Sequence, residues 1–253
     1  MTTNTDRIDS IDLRAVVLAA GKGTRLQSEK SDLPKVMRRA AGRPLLGWVL
    51  DKISFVDPSH TVIVVGYKAE AVQSEIGAAY QYALQEEQLG TGHAVQMAMP
   101  ALANFEGPVL ICYGDMPLIS ESTYRNLFST HIREGNACTM LAYISDKDLG
   151  YGRIVRDDQG IFKAVVEDRD CTPEQKNITE LNAGVYVFDA AWLREGLNLL
   201  QNNNAQGEYY LTDVPTWIQS QGGRIGIQGT TGEFEGIGVN TQEDLDLVNK
   251  LLA

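Results

Sequence analysis

Arg14-Ala-Val-Val-Leu-Ala-Ala-Gly-Lys-Gly-Thr-Arg25, completed by Leu33-Pro34-Lys35, decides how this chain is read. The first five residues form an apolar run short enough to be a buried strand. The strand then breaks into Gly21 and Gly23 with Lys22 between them. Glycine lets a backbone approach a ligand closely. Such a turn can aim successive amide N–H groups into one anion-binding concavity. Lys22, Arg25 and Lys35 add three cations around it. These parts suit a nucleoside triphosphate. The spacing matches neither G-x-x-x-x-G-K-[ST] nor the three-glycine dinucleotide fingerprint. Gly-Lys-Gly alone could be a strand-to-helix turn with a solvated lysine; Arg25 and Pro34-Lys35 move the reading to nucleotide binding.

Working outward, short apolar strands alternate with helices. Residues 44–53 read as a helix with Pro44 in its first turn. Residues 61–65 form a β-branched strand, 68–76 a helix and 80–84 a third strand. A Gly/Thr-rich loop, 85–93, leads into a helix ending near residue 98. Residues 108–113 form another continuous apolar strand, and Ser120 can cap the helix that follows. Fully apolar strands alternating with helices predict an α/β fold: a Rossmann-like, mostly parallel sheet covered by helices on both faces. Ligands in such sheets sit beyond the carboxyl ends of the strands. Three marked stretches fall there: 19–25, 85–92 and 113–118. The second half reads as strand 138–144, a hairpin of 153–156 and 161–166 around Asp157-Asp-Gln-Gly160, and strand 182–188. Helices follow near 189–200 and 211–220, with a last helix at 241–252 capped by Thr241.

The expected organisation is a loose tail, 1–11, and one domain, 12–253. That domain divides into a nucleotide-binding half (12–135), a lobe for the acceptor substrate (136–240) and a C-terminal helix (241–253). At 253 residues and 43% hydrophobic content the chain can bury a substantial core. Net charge is 22 − 33 = −11 with no Lys/Arg stripe, so nucleic acid is not expected as a partner. An acidic protein that binds polyanionic nucleotides needs local cations and usually a metal. No run approaches the roughly 20 apolar residues of a membrane span. The polar first ten residues lack the apolar core of a signal peptide. Cys112, Cys138 and Cys171 are odd in number and widely spaced, as in a reducing cytoplasm.

Several residues can carry chemistry. Asp115 ends a strand beside a glycine and can hold Mg²⁺, a hard ion that takes carboxylate and phosphate oxygens together. Asn240 follows Gly236 and Gly238 and can add an amide oxygen. Gln85 and Gln88 can donate and accept at a base edge. Glu167 closes the 161–166 strand and can accept from sugar hydroxyls; Asn182 has a similar role open to it. His60, His93 and His131 form no constellation, and His60 and His131 read as loop or helix-surface residues. No Ser-His-Asp or Cys-His set is present. A phosphate monoester would need none, because it is already anionic near pH 7 with a second pKa of about 6.

The opening run, Leu33-Pro-Lys35, Gln-Leu-Gly-Thr-Gly-His within 85–93, Tyr113-Gly-Asp-Met-Pro-Leu-Ile-Ser120, Gly150-Tyr-Gly-Arg-Ile154, Val166-Glu167 and Asn203-Asn-Ala-Gln-Gly-Glu-Tyr-Tyr210 complete the pattern. Together they resemble the sugar-1-phosphate nucleotidyltransferases, and within them the uridylyltransferase domain of bacterial UDP-N-acetylglucosamine pyrophosphorylases of the GlmU type. The resemblance runs over most of 14–240. It implies the nucleotide-diphospho-sugar transferase fold and transfer of UMP from UTP to N-acetylglucosamine 1-phosphate, with Mg²⁺. It implies that Leu18, Ala19, Ala20, Gly21, Lys22 and Gly23 contact the nucleotide, with Gln85, Gly90 and Thr91 at uracil. Arg25 and Lys35 would stabilise the phosphates and act in catalysis. Tyr113, Gly114, Gly152, Glu167 and Asn182 would contact the sugar, and Asp115 and Asn240 the metal. Two features depart from the family. Residues 26–32 look longer than its usual link. Its customary partner, a left-handed β-helix with acetyltransferase activity, has no hexapeptide repeat here, so no acetyl transfer is expected. Another sugar 1-phosphate, a thymidylyltransferase, or a non-catalytic sugar-nucleotide-binding module are the alternatives.

Overall fold

A computed structural model describes residues 11–23, 26, 33–147 and 149–253. In chain order the first elements are β1 (Arg14–Ala19), the two-residue strands β2 (Arg39–Ala40) and β3 (Arg43–Pro44), α1 (Leu45–Lys52), β4 (Thr61–Val65), α2 (Ala69–Ile76) and β5 (Gln81–Leu84). Then come α3 (Thr91–Ala98), β6 (Pro108–Tyr113), α4 (Glu121–Glu134), β7 (Cys138–Ile144), β8 (Arg153–Arg156) and β9 (Phe162–Val166). The rest are β10 (Glu180–Asp189), α5 (Ala190–Asn198), α6 (Asp213–Ser220), β11 (Ile225–Gly229) and α7 (Gln242–Leu252).

One sheet runs through both halves in the order β11-β7-β10-β6-β1-β4-β5. β1 is central and pairs in parallel with β4 on one side and β6 on the other. β10 is antiparallel to both β6 and β7. The β8–β9 hairpin hangs from β10 through the Leu181–Arg153 pair.

The strands show why both faces are covered. Ala15, Val17 and Ala19 of β1 join one core with α1, α2 and α4, through Leu46, Val49, Val72, Leu127 and Phe128. Val16 and Leu18 join a second core with α3, α5 and α6, through Val95, Leu193, Leu197, Val214 and Ile218. Successive side chains point to opposite faces of a strand. A strand apolar at every position therefore buries both faces only between two helical layers.

Three features differ from the sequence reading. β11 was not anticipated: Ile225-Gly-Ile-Gln-Gly is short and glycine-rich, and it is held by parallel pairing to β7. β10 is longer than expected and carries a register shift between Asn182 and Tyr186. His131 is not on a helix surface. It is 5% exposed with Nδ1 3.1 Å from Thr139 Oγ1, and burial pushes its pKa down to about 4. Cys112 and Cys138 are buried and all three cysteines are free. Among the described residues no helix is long and apolar enough to cross a membrane.

Candidate active site

The carboxyl ends of β1, β5 and β6 open onto one cleft of about 400 Å³. Its floor is Leu18, Ala19, Ala20 and Gly21, where β1 ends. Gly66, just after β4, sits under this floor. A Cβ there would lie 2.9 Å from the Ala20 carbonyl oxygen and 3.0 Å from that of Gln85, so only glycine lets the three strand ends converge.

Gln85, 3% exposed, lines the cleft. Its Nε2 donates to the Gly90 carbonyl oxygen at 3.1 Å and lies 3.1 Å from His93 Nδ1. A carbonyl can only accept, which fixes the orientation of the amide. Gly90 has φ +113° and abuts Tyr209, where a Cβ would meet backbone at 2.6 Å. The 85–92 loop is tied to the 203–211 segment: Tyr209 N–H donates to Leu89, Gly92 N–H to Tyr209, and Leu211 N–H to Thr91 Oγ1.

Lys35 joins three distant parts of the chain in this cleft. Its Nζ is paired with Asp115 Oδ2 and donates to Asn240 Oδ1 at 2.9 Å, across 205 residues of sequence. The residue 238–240 segment is held beside Asp115 by Val239 N–H donating to the Asp115 carbonyl. Asp244 Oδ2 accepts from the N–H groups of both Asn240 and Thr241, completing the capping box of α7. Upstream, the buried Glu235 carboxylate accepts from Ser120, Thr231 and Gly232 N–H groups and from Thr123 Oγ1. This clamp anchors the segment that leads to Asn240.

Glu167, Asn182, Tyr113 and Gly152 also line the cleft. Burial raises the Glu167 pKa above the usual carboxylate range. The Thr212 hydroxyl, donating at 2.9 Å, works against this, and the nearby Asp213, Asp170 and Glu208 add to it. Asn182 Nδ2 donates to the Tyr186 hydroxyl at 2.6 Å, and its Oδ1 accepts from Gly184 N–H at 3.1 Å. One Nδ2 hydrogen remains for a ligand. Gly184, at φ +73°, lets the Tyr113 ring lie on the backbone, since a Cβ would be 2.4 Å from Tyr113 Cε2. Tyr151 accepts from Gly238 N–H at 2.9 Å, and burial pushes its hydroxyl up to about 12.

Of the residues singled out in the sequence, Leu18 to Gly21, Lys35, Gln85, Gly90, Thr91, Tyr113, Asp115, Gly152, Glu167, Asn182 and Asn240 line this one cleft. Lys22, Gly23 and Gly114 are not among its lining residues. Lys22 is exposed, and Gly114 packs beneath the site, its N–H donating to the Leu18 carbonyl at 3.0 Å. Arg25 lies outside the described residues. Sequence reading missed the parts played by Tyr151, Gly184, Thr212, Glu235 and His93. Of these Tyr151, flanked by two glycines, and His93, at the end of Gln-Leu-Gly-Thr-Gly-His, carried a local signal.

A family profile described as the MobA-like NTP transferase domain matches residues 15–204. The chain belongs to this NTP transferase family. Bifunctional protein GlmU of Thermoanaerobacter pseudethanolicus is 43% identical over 240 residues, 95% of this chain and 51% of the relative. GlmU of Streptococcus sanguinis is 45% identical over 226 residues, 89% of this chain and 49% of the relative. The chain thus spans about half the length of the curated relatives it matches. A solved structure from Bacillus anthracis, assigned as a glucose-1-phosphate thymidylyltransferase, has the same fold. Its TM-score is 0.77 at 19% identity, with 94% of each chain covered. In this NTP transferase the stretch that opens the sequence supplies the floor of the cleft.

Proposed function

We propose that this protein transfers UMP from UTP to N-acetylglucosamine 1-phosphate, giving UDP-N-acetylglucosamine and pyrophosphate, with Mg²⁺ as its metal. The observation that carries the reading is the convergence of Lys35, Asp115 and Asn240 in one cleft that the Gln85 amide and the Glu167 carboxylate also line. A nucleotide sugar has matching parts: phosphates, base and sugar.

The Gln85 Nε2 is engaged by two protein acceptors, whereas its Oε1 has no hydrogen bond among the described residues and is not among the closed-off polar atoms. It therefore offers an acceptor to the cleft, which matches the N3–H of uracil and opposes the N3 acceptor of cytosine. Thymine carries the same N3–H, so this contact also suits a thymidylyltransferase. Glu167 and Asn182 offer acceptors and a donor to sugar hydroxyls and the acetamido group.

The donor set of Asp115 and Asn240 fits a divalent cation. Two oxygens, one charged and one neutral, already converge on the Lys35 ammonium, which stands where a cation is wanted. Among the described residues no group of three or more His, Cys, Asp or Glu is placed to hold a metal. Asp115 and Asn240 would hold Mg²⁺ with phosphate oxygens completing the shell, and the ion would supply positive charge at the transferring group. Lys35 neutralises the same phosphates. A phosphate oxygen of the sugar attacks the α-phosphorus, the bond from that phosphorus to the bridging oxygen breaks, and pyrophosphate leaves with the electron pair. The nucleophile is already ionised, so the protein's part is positioning and charge neutralisation.

Pyrophosphate release, screened over nucleoside triphosphates against sugar 1-phosphates, tests this. The expected best pair is UTP with N-acetylglucosamine 1-phosphate. Tight UDP-sugar binding in calorimetry without pyrophosphate release from any pair would overturn the enzyme reading in favour of a binding module.

A further inference from the structure

Gln85 can select uracil only while both its N–H bonds are turned away from the base. The Gly90 carbonyl holds one of them. The other points at His93 Nδ1, 3.1 Å away. For that contact to be a hydrogen bond, Nδ1 must be the unprotonated ring nitrogen, with the proton on Nε2. His93 stands in the first turn of α3, and its ring lies 6.5 Å from that of Tyr209. This places it between the 85–92 loop and the 203–211 segment. We propose that His93 is a positioning residue for base selection: its Nδ1 occupies the second N–H of Gln85, leaving only Oε1 to face the nucleotide.

The reason is physical. Without an acceptor at the Nδ1 position, one Gln85 hydrogen is buried and unsatisfied. A half-turn about the terminal torsion, then opposed only by the Gly90 carbonyl, exchanges the amide oxygen and NH2 group and presents an N–H to the cleft, where the cytosine N3 can accept it. The site loses its preference without losing its shape. The inference rests on the assignment of Gln85 to the base.

The test compares kcat/KM for UTP and CTP in wild type, Gln85→Ala, His93→Leu and His93→Asn, with His93→Ala in place of the leucine variant if that one does not fold. The side-chain oxygen of Asn sits close to where Nδ1 was and can accept the same N–H. His93→Leu should lower the UTP/CTP ratio roughly three- to tenfold, the worth of one net hydrogen bond. The change should appear in KM, with kcat at saturating UTP retained, because the base is remote from the reacting phosphate. His93→Asn should restore the ratio to within about twofold of wild type. Adding His93→Leu to Gln85→Ala should leave the ratio of Gln85→Ala alone. Equal loss for both nucleotides in His93→Leu, or no rescue by asparagine, overturns the proposal. If Gln85→Ala itself leaves the ratio unchanged, the base reading fails instead.

Discussion

In the part of the cleft proposed to take the base, Gln85 and His93 are eight residues apart and meet through a neutral hydrogen bond. In the part proposed to take the cation, Lys35, Asp115 and Asn240 come from three distant parts of the chain and meet through charge. On that proposal the two ends do different work. Recognising a base requires donors and acceptors that stay where they are, so each spare hydrogen is bound down. Handling phosphates requires charges that can exchange partners. The lysine ammonium here satisfies the two oxygens proposed for the metal, and on that proposal it would have to let go before meeting a phosphate.

The largest expected effect is at the cation end. Asp115→Ala should lower kcat by roughly 10²- to 10³-fold, as loss of one preorganised electrostatic group does at such sites. Asp115→Asn should be nearly as poor, since it keeps the shape and removes the charge. Asn240→Ala should instead raise the Mg²⁺ concentration needed for half-maximal rate, roughly tenfold or more. Initial rates against Mg²⁺ for the three variants measure this, and near-normal turnover by Asp115→Ala would erase the contrast between the two ends.

Lys35→Met sharpens it. The residue pairs with a carboxylate that is mostly buried, 13% exposed. Removing the ammonium should lower turnover on the order of 10²-fold while making Mn²⁺ bind more tightly in the absence of nucleotide. Titration of free Mn²⁺ by its paramagnetic resonance signal, alongside pyrophosphate release, reads both. Weaker Mn²⁺ binding in the variant would mean that lysine and metal do not share the two oxygens.

Gly66→Ala probes the junction beneath the base end. Its Cβ would press on the Ala20 and Gln85 carbonyls. The expected cost is about 1–3 kcal/mol of stability, with a higher KM for UTP. A thermal melt and KM values together check this; unchanged KM would show that the base end tolerates movement of its floor.

The smallest effect is a pH dependence at the sugar end. The Glu167 pKa is raised by burial, so the fold favours its protonated form. A group raised on folding lends stability at pH below the ordinary carboxylate range and loses it as pH climbs through the raised value. Glu167→Gln should therefore raise Tm at pH 7.5 by about 2–4 °C, the worth of ~1 kcal/mol in a domain this size. The gain should shrink in acid, and the KM for the sugar phosphate should rise. A gain that is the same at pH 4 and 7.5 would count against the burial argument.

Much of the molecule was legible before any coordinates. β1, β4 and β6 declare themselves because both faces are buried, so every position is apolar, and Ser120 and Thr241 cap helices as their side chains allow. The cleft's place beyond the strand ends follows from the alternation of strands and helices. Tertiary structure decided the rest. β11 has little strand character of its own and exists because β7 offers it a partner. The glutamine that reads as both donor and acceptor becomes an acceptor alone, because Gly90 and His93 take its hydrogens. The pairing of Lys35 with Asp115 and Asn240 leaves no periodic trace in the sequence. It depends on the packing of Gly238–Asn240 alongside the end of β6, a long-range contact that only the folded sheet can make.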